Sequence, residues 1–213
     1  MRNLILYLGV FLFAGLMNAQ ELKVIKLDAP DKTGGKPVLK VIADRKSDRE
    51  FATDKLKSKD LSTLLWAANG INRADGKRTA PSANNAQDVD IYVILEEGAY
   101  LYDPKEHALN PIAAGDYRAA VAGGGQAFVK DAPVSLVLVS DLTRLSKEPN
   151  EGTKLTGAVD VGIVSQNINI AAAGLGLYTV PRGSMNKDEL KKVLKLKDTH
   201  YIGLNNPVGY PKK

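Results

Sequence analysis

The longest helical pattern in the sequence runs from Asp160 to Leu175. Its apolar residues recur at helical spacing and form one wide face: Val161, Val164, Ile168, Ala171, Ala172 and Leu175. A helix with such a face must bury it, and the small side chains on it let another helix approach closely. Gly174 and Gly176 are placed to end the helix. The pattern predicts a long helix packed closely against another helix.

The other apolar segments favour an α+β fold. Strands are predicted at 22–27, 37–42, 90–95, 99–102, 177–180 and 201–204, and a continuous apolar run at 133–139 is typical of a strand buried on both faces. Shorter helices are predicted at 58–70, 116–121 and 186–196. Ser58 or Asp60 is expected to cap the first of them and Asn186 the last. The hairpins cluster, which is unlike an alternating βαβ array.

The N-terminus has the layout of a secretory signal peptide. Arg2 precedes an apolar run from Leu4 to Leu16, and Ala19 offers a small residue for cleavage. A retained anchor helix is the alternative, but the run is shorter than the roughly 20 residues that a spanning helix needs. We expect a signal peptide at 1–19, an N-terminal extension or arm at 20–43 and a globular domain at 44–213. The mature protein would be periplasmic or secreted, without a stable membrane anchor.

Several kinds of site are excluded by the composition. The sequence has no cysteine, which excludes disulfides, zinc–thiolate sites, iron–sulfur clusters and a thiol nucleophile. His107 and His200 lack the spacing of a metal motif, so no metal site is expected. The net charge of +5 is spread along the chain without interleaved aromatics, which does not support nucleic-acid binding. A chain so poor in acid–base groups is typical of a protein whose chemistry belongs to a bound cofactor.

Three segments are candidates for holding such a cofactor. Arg45, Lys46, Ser47 and Arg49 offer cations and a hydroxyl to a phosphate, and the two arginines would share one face if the segment opens a helix. The segment 81–87 presents amides that can donate to and accept from a flat heterocycle. The turn at 180–184 offers Arg182 and free backbone N–H groups to a developing negative charge. Each segment could equally be an ordinary surface loop.

Taken in order, these segments resemble the nitroreductase family of FMN-dependent oxidoreductases. The similarity is carried by DRKSDREF at 44–51, by LSTLLWAANGINR and GKRTAPSANNAQDVDIYVI, by DVGIVSQNINIAAAGLGLYTVPRGS, and by GLNNPVGYPKK at the end. It covers about residues 44–211. The second block is similar to the branch related to thiazoline-forming dehydrogenases. Asp88 and Val89 stand where well-studied nitroreductases have Pro-Trp, so nitroarene activity does not follow from the resemblance.

The resemblance implies a fold, a cofactor and its contacts. It implies a mixed or antiparallel central sheet flanked by helices, in an entwined homodimer with two FMN sites between the subunits and the helix from Asp160 at the interface. Arg45, Lys46, Ser47 and Arg49 would hold the phosphate and ribityl chain. Other FMN contacts would come from the amide segment and the later turn, namely Pro81, Ser82, Asn84, Asn85, Gln87, Arg182 and Gly183. No catalytic side chain is assigned, because the chemistry would lie mainly on FMN.

The function that the resemblance implies is ping-pong electron transfer through FMN, from a small-molecule donor to a small organic acceptor. Two alternatives remain open from the sequence. One is a flavin-dependent dehydrogenase or oxidase acting on peptide or thiazoline-like substrates. The other is an exported scaffold that keeps the fold for binding alone.

Overall fold

The computed structural model describes residues 21–212 of the chain. The strands are β1 (Ile25–Lys26), β2 (Val89–Ile94), β3 (Gly98–Asp103), β4 (Ala108–Ala114), β5 (Val134–Asp141), β6 (Tyr178–Thr179) and β7 (His200–Gly209). The helices are α1 (Val38–Asp44), α2 (Ser58–Asn69), α3 (Arg118–Ala122), α4 (Glu151–Leu175) and α5 (Lys187–Val193). The expected signal peptide at 1–19 lies outside the described residues.

All seven strands form one sheet in the order β1-β4-β3-β2-β5-β7-β6, and every neighbouring pair is antiparallel. Alternate side chains of β2 show how the sheet separates two apolar layers. Ile91 and Val93 pack with α2 and α4, whereas Tyr92 and Ile94 pack with α3 and α5. This is an α+β fold with helices on both faces of an antiparallel sheet, as the sequence predicts.

Helix α4 spans the sheet and begins earlier than predicted. Asn150 caps it, because the Asn150 side chain accepts a hydrogen bond from the Thr153 N–H at 3.0 Å, and the Thr153 hydroxyl bonds back to Asn150. The predicted start at Asp160 is wrong because the first turns are largely exposed and carry no apolar stripe. The end was predicted correctly: Gly176 has a φ of 73°, the left-handed conformation that ends helices.

The segment 37–42 was predicted as a strand and is helix α1 instead. Val41 is buried, and its methyl group would lie 3.5 Å from a Cβ placed on Gly174 of α4. The Lys36 N–H donates to the Gly174 carbonyl at 3.2 Å just before the helix. Docking on α4 therefore overrides the strand propensity of the valine and isoleucine in this segment.

The expected cap of α2 was wrong, and one strand was not predicted. Lys57, not Ser58 or Asp60, occupies the N-cap of α2, and its side chain makes no capping bond. Asp60 instead accepts a hydrogen bond from the Tyr210 hydroxyl at 2.6 Å. Strand β4 was missed, because Pro111 and Asn110 interrupt its apolar pattern.

The N-terminal arm is tied to the sheet rather than free. Strand β1 pairs with β4, and the Ser62 hydroxyl donates to the carbonyl of Asp28 at 2.5 Å. His107 lies beside Ser62, with 2.7 Å between its Nε2 and the Ser62 Oγ, and its Nδ1 is 2.9 Å from the Tyr102 hydroxyl. His107 is thus a half-buried histidine with both nitrogens engaged, which agrees with a structural role. Among residues 21–212, no helix has both the length and the apolar character needed to cross a membrane.

Candidate functional site

A basic cleft lies where the C-terminal end of α4 meets the segment after α1. Its volume is about 240 Å³. Arg45 and Lys46, two of the predicted phosphate ligands, both line it. The other lining residues are Lys36, Asp44, Asp48, Asn169, Ala173, Gly176, Leu177, Tyr178, Thr179 and Pro211. Three cations and two carboxylates line the cleft, which is hereafter called the basic cleft.

The charges in the basic cleft are not all neutralised. Lys46 lies 3.3 Å from the Asp48 carboxylate, and this pairing raises the pKa of Lys46. Asp44 pairs with Lys36 at 3.4 Å and with Lys40 at 2.8 Å. These ion pairs leave the Arg45 guanidinium without a carboxylate partner among the described residues. A half-buried guanidinium of this kind suits a phosphate, which it can bind through two parallel N–H donors.

Ser47 and Arg49 do not line the basic cleft. Helix α1 ends at Asp44, and residues 45–50 form no helix, so the premise that Arg45 and Arg49 share a helical face is wrong. Arg49 lines a neighbouring cleft with Glu50, Phe51, Phe128, Asp131 and Lys212. Among residues 21–212, the Arg49 side chain makes one long hydrogen bond, 3.5 Å, to the carbonyl of Ser47. Arg49 and Lys212 are therefore a second pair of cations, in a cleft that also contains the carboxylates of Glu50 and Asp131.

The segment 81–87, hereafter the amide loop, is a tight coil in an uncommon backbone conformation. Asn84, Asn85 and Gln87 have φ angles of 52°, 56° and 51°. Asparagine tolerates this left-handed region better than most residues, whereas glutamine does so only when its surroundings hold it there. Such concentrated strain in one short segment is typical of a functional loop.

Side chains of the amide loop divide into two groups. Ser82 and Gln87 point into the protein: the Ser82 hydroxyl accepts from the Gln87 N–H at 2.8 Å, and the Gln87 side chain bonds Arg78 at 3.1 Å and the Gly76 carbonyl at 3.2 Å. Pro81, Asn84 and Asn85 are exposed. Gln87 holds the turn and also donates a long hydrogen bond, 3.4 Å, to the Asn85 Oδ1. The Asn84 side chain and the Asn85 NH2 group are therefore exposed on a preorganised turn and can meet a ligand.

The turn at 180–184 is built around a buried arginine. Arg182 is 6% exposed, and its guanidinium donates to Gln126 at 2.7 Å, to Asn205 at 2.9 Å and to the carbonyls of Val121 and Ala122. Burial lowers the pKa of Arg182. Arg182 thus joins α3 to β7 through hydrogen bonds. Gly183 beside it is exposed, and a Cβ there would meet nothing within 4 Å, so its backbone is open to close approach.

Comparison with known proteins identifies the chain. The model of the nitroreductase family matches residues 42–210. The chain belongs to the nitroreductase family. A protein of Methanocaldococcus jannaschii named as a nitroreductase is 32% identical over 177 residues, which cover 79% of this chain and 88% of that protein.

Two further relatives agree with this membership. The crystal structure of a Ralstonia eutropha protein named as a nitroreductase has a TM-score of 0.82 and 37% sequence identity, covering 89% of this chain and 90% of that one. The Bacillus subtilis FMN reductase [NAD(P)H] is 27% identical over 188 residues, covering 82% of this chain and 66% of that protein. The family and the α+β fold are thereby confirmed, and the sheet, predicted as mixed or antiparallel, is antiparallel.

In this nitroreductase-family chain, the basic cleft and the amide loop lie at different places along α4. The Ala83 N–H of the loop donates to the Asp160 carboxylate, and the basic cleft borders Ala173 and Gly176. At a rise of about 1.5 Å per residue, the helix separates these points by about 20 Å. Arg45 and Lys46 therefore share one cleft, and residues 81–87 form one loop. Within one chain, however, the cleft and the loop lie far apart.

Some residues of the site were missed by sequence reasoning. Asn169 and Thr179 line the basic cleft and belong to a buried polar network with Ser165 and Asn206, in which Ser165 donates to Asn206 at 2.8 Å. They lie within segments that carry the family resemblance, and nothing but the fold shows that their side chains meet. Within residues 21–212, no group of three or more His, Asp or Glu side chains is placed to bind a metal ion.

Proposed function

We propose that the chain is an FMN-dependent oxidoreductase that works as a homodimer. The observation that carries the proposal is the separation of its two ligand-binding surfaces by about 20 Å along α4. A cofactor with an anionic end and a flat, amide-matching end needs both surfaces. A second copy, turned about a two-fold axis, can bring its amide loop to the basic cleft of the first.

Exposed apolar side chains support the second copy. Leu155 and Val159 are one turn apart on α4 and are 68% and 56% exposed. On α1, Val38, Leu39 and Ile42 are 59%, 77% and 55% exposed. Large apolar residues concentrated on two helices are typical of an interface rather than of scattered surface residues.

Some of the residues that would hold FMN keep hydrogen-bonding groups that the protein itself does not use, and the others would position them. Arg45 and Arg49, with Lys46 and Ser47 between them, would bind the phosphate and ribityl chain. Asn84 and Asn85 would offer amides to the polar edge of the ring, with Ser82 and Gln87 fixing the turn and Pro81 at its entry. Gly183 would allow the ring to approach the backbone, and Arg182 would hold that backbone in place. The donor set fits a nucleotide that ends in a phosphate.

Bound FMN would supply the redox chemistry, taking electrons from a small-molecule donor and passing them to a small organic acceptor in a ping-pong cycle. The protein's part is to bind, orient and exclude competing reactions. The name of the Bacillus subtilis relative gives a nicotinamide donor and a flavin acceptor for that protein. The leader-like sequence at the N-terminus supports a further proposal, that this chain acts in the periplasm or outside the cell.

A second candidate function is suggested by the block from LSTLLWAANGINR to DVDIYVI. Its resemblance to the branch related to thiazoline-forming dehydrogenases supports a dehydrogenase or oxidase acting on peptide or thiazoline-like substrates. Asp88 and Val89, which stand in place of Pro-Trp, give no support to nitroarene activity. Two experiments separate the candidates. An electron acceptor should reoxidise the reduced flavoprotein, whereas a dehydrogenase substrate should reduce the oxidised flavoprotein.

The experiment that tests FMN binding is an absorbance spectrum of the purified protein after FMN is added and the excess removed. We expect flavin absorbance at one FMN per chain, and a dimer by light scattering. A colourless monomer after this treatment would overturn the proposed function and favour a scaffold that binds without catalysis.

A further inference from the structure

Two buried carboxyl groups lie directly beneath the amide loop. Asp88 and Asp160 are 0% and 3% exposed. The Asp160 Oδ2 accepts a hydrogen bond from the Ala83 N–H at 2.9 Å, and the Asp88 Oδ2 accepts one from the Ser140 hydroxyl at 2.5 Å. Asp160 thus connects α4 to the backbone of the loop that carries Asn84 and Asn85, and Asp88, at the end of that loop, is bound to β5 through Ser140.

The Ser140 hydroxyl that binds Asp88 also lies against Gly157 of α4, which places Asp88 beside the turn of the helix that leads to Asp160. Asp160 is one of the groups that raise the pKa of Asp88. The second oxygen of Asp88, Oδ1, is buried and finds no donor among the described residues. Two carboxylates in contact cannot both be ionised cheaply, but a single shared proton gives the orphaned oxygen a partner. Burial, followed by the influence of Asp160, raises the pKa of Asp88 to about 6, against the Ser140 hydroxyl that lowers it.

The charged groups around the pair do not neutralise it. Arg144 is close enough for Asp88 to contribute to its raised pKa, but it binds Asp90 at 2.7 Å and Asp141 at 3.3 Å. Arg144 also donates to the Gln87 carbonyl at 3.0 Å. Two other groups on this side are Arg78, which binds the Gln87 side chain, and His200, which lowers the pKa of Asp90 and of Asp141. The shared proton is therefore the means by which this region limits its negative charge.

The amide loop depends on this support. Its left-handed residues each cost free energy that local contacts must offset. Inside the loop, the Asn85 N–H bonds the Ser82 carbonyl at 3.0 Å and the Ala86 N–H bonds the Ala83 carbonyl at 2.9 Å. The hydrogen bond from the Ala83 N–H to Asp160 attaches the turn to α4. If the Asp160 carboxyl moved away from Asp88, this hydrogen bond would break.

We propose that Asp88 and Asp160 share one proton and act as positioning residues that hold the Ala83–Asn85 turn in its FMN-binding conformation. This inference rests on the proposed function for its ligand. Release of the proton to solvent leaves two carboxylates in contact, whose repulsion displaces Asp160 from the Ala83 N–H. The amide loop then loosens, and FMN binds less tightly.

The test measures FMN affinity by fluorescence quenching between pH 5 and pH 8. We expect Asp88→Asn and Asp160→Asn to hold their affinity through this range, because an amide N–H replaces the shared proton at every pH. Wild-type affinity for FMN should fall about tenfold relative to either variant as pH rises through about 6. A tenfold change corresponds to a difference of about one unit between the pKa of the pair with FMN bound and its pKa in the free protein. The comparison with the variants matters because the FMN phosphate itself titrates in this range, equally in all proteins.

Two further variants sharpen the result. Ser140→Ala removes the hydrogen bond that favours ionised Asp88, so the midpoint of the pH dependence should move to higher pH. Asp54→Asn changes an exposed aspartate in the loop before α2 and should reproduce the wild-type profile. Riboflavin, which lacks the phosphate, should show the same difference between wild type and Asp88→Asn.

The protection of the Ala83 N–H from hydrogen exchange gives a readout without FMN. The protection factor in the wild type should fall above pH 6 and stay constant in Asp88→Asn. If wild type and Asp88→Asn share one pH profile in both measurements, the inference is wrong even though FMN binds. If the wild type binds no FMN but Ala83 protection follows the pair, the proposed function fails and only the carboxyl pair is supported.

Discussion

At the scale of single residues, substitution of Arg45 or Arg49 tests whether these side chains bind the FMN phosphate. Neither has a carboxylate partner among residues 21–212, so neither is needed to balance a charge of the protein. Replacing either with alanine should weaken FMN binding by about 1.5–3 kcal/mol, the range for hydrogen bonds to a charged group. Fluorescence titration of FMN measures the change.

The control for this prediction is Lys192→Ala, which removes an exposed cation on α5. It should leave FMN affinity unchanged. An Arg45→Ala variant that matches Lys192→Ala would show that the phosphate binds elsewhere. Thermal unfolding of the FMN-free variants should match wild type, because these arginines contribute little to folding.

His107 gives a prediction about pH and stability. Its neutral form fits its surroundings: the Tyr102 hydroxyl can donate to Nδ1, and Nε2–H can donate to Ser62, which donates to the arm at Asp28. Burial lowers the pKa of His107 below its ordinary value of 6.5. Stability from this group is therefore fully present above pH 6.5 and is lost as pH falls below that value.

Urea unfolding at pH 7 and at pH 5 measures the effect. His107→Gln should lose less stability between these two values than wild type, because glutamine cannot take up a proton there. His200→Gln is the matched control. Equal losses in wild type and His107→Gln would contradict the assignment of a neutral, buried His107.

At the scale of elements, the interface is tested on α4. Leu155→Lys places a charge at a residue that is 68% exposed in one chain. A two-fold interface contains each residue twice, so the dimer should lose the burial of two side chains, roughly 3 kcal/mol or more. Light scattering at micromolar concentration should show a monomer.

The folded chain itself should tolerate this substitution, because a lysine on an exposed helical face has little effect on stability. Lys154→Ala, its neighbour, changes α4 without removing apolar surface and should remain dimeric. A Leu155→Lys protein that stays dimeric, with wild-type affinity, would place the interface on another surface.

The sequence predicted helices and strands well where their burial or their ends depend on residues that are adjacent in the chain. Strand β5 reads as a continuous apolar run because both of its faces are covered, and Gly176 and Asn186 end and begin helices through local bonds. Helix α1 could not be predicted, because its helicity depends on Val41 docking onto Gly174. The candidate site shows the same division: Arg45 and Asn85 stand out in the sequence, whereas the pairing of Asp88 with Asp160 exists only in the fold.

At the scale of the whole molecule, the proposal requires that each FMN site contain parts of two chains. One chain supplies the basic cleft and the other supplies the amide loop. A variant damaged in the cleft, Arg45→Ala with Arg49→Ala, and a variant damaged in the loop, Asn84→Ala with Asn85→Ala, should each bind FMN poorly as homodimers. Mixing them creates a heterodimer in which one site has both damaged parts and the other has both intact parts.

Subunit exchange should therefore restore binding at roughly one site in four after equal mixing, since about half of the dimers are mixed and each has one intact site. Absorbance of bound flavin before and after exchange measures the recovery. A site built within a single chain would show no recovery, because each chain keeps its own defect. Recovery should also vanish when both variants carry Leu155→Lys. This substitution dissociates the dimer, and separate chains cannot form a site that needs parts of two chains. FMN that binds only the dimer stabilises the dimer by mass action, so dissociation and loss of FMN binding should occur together.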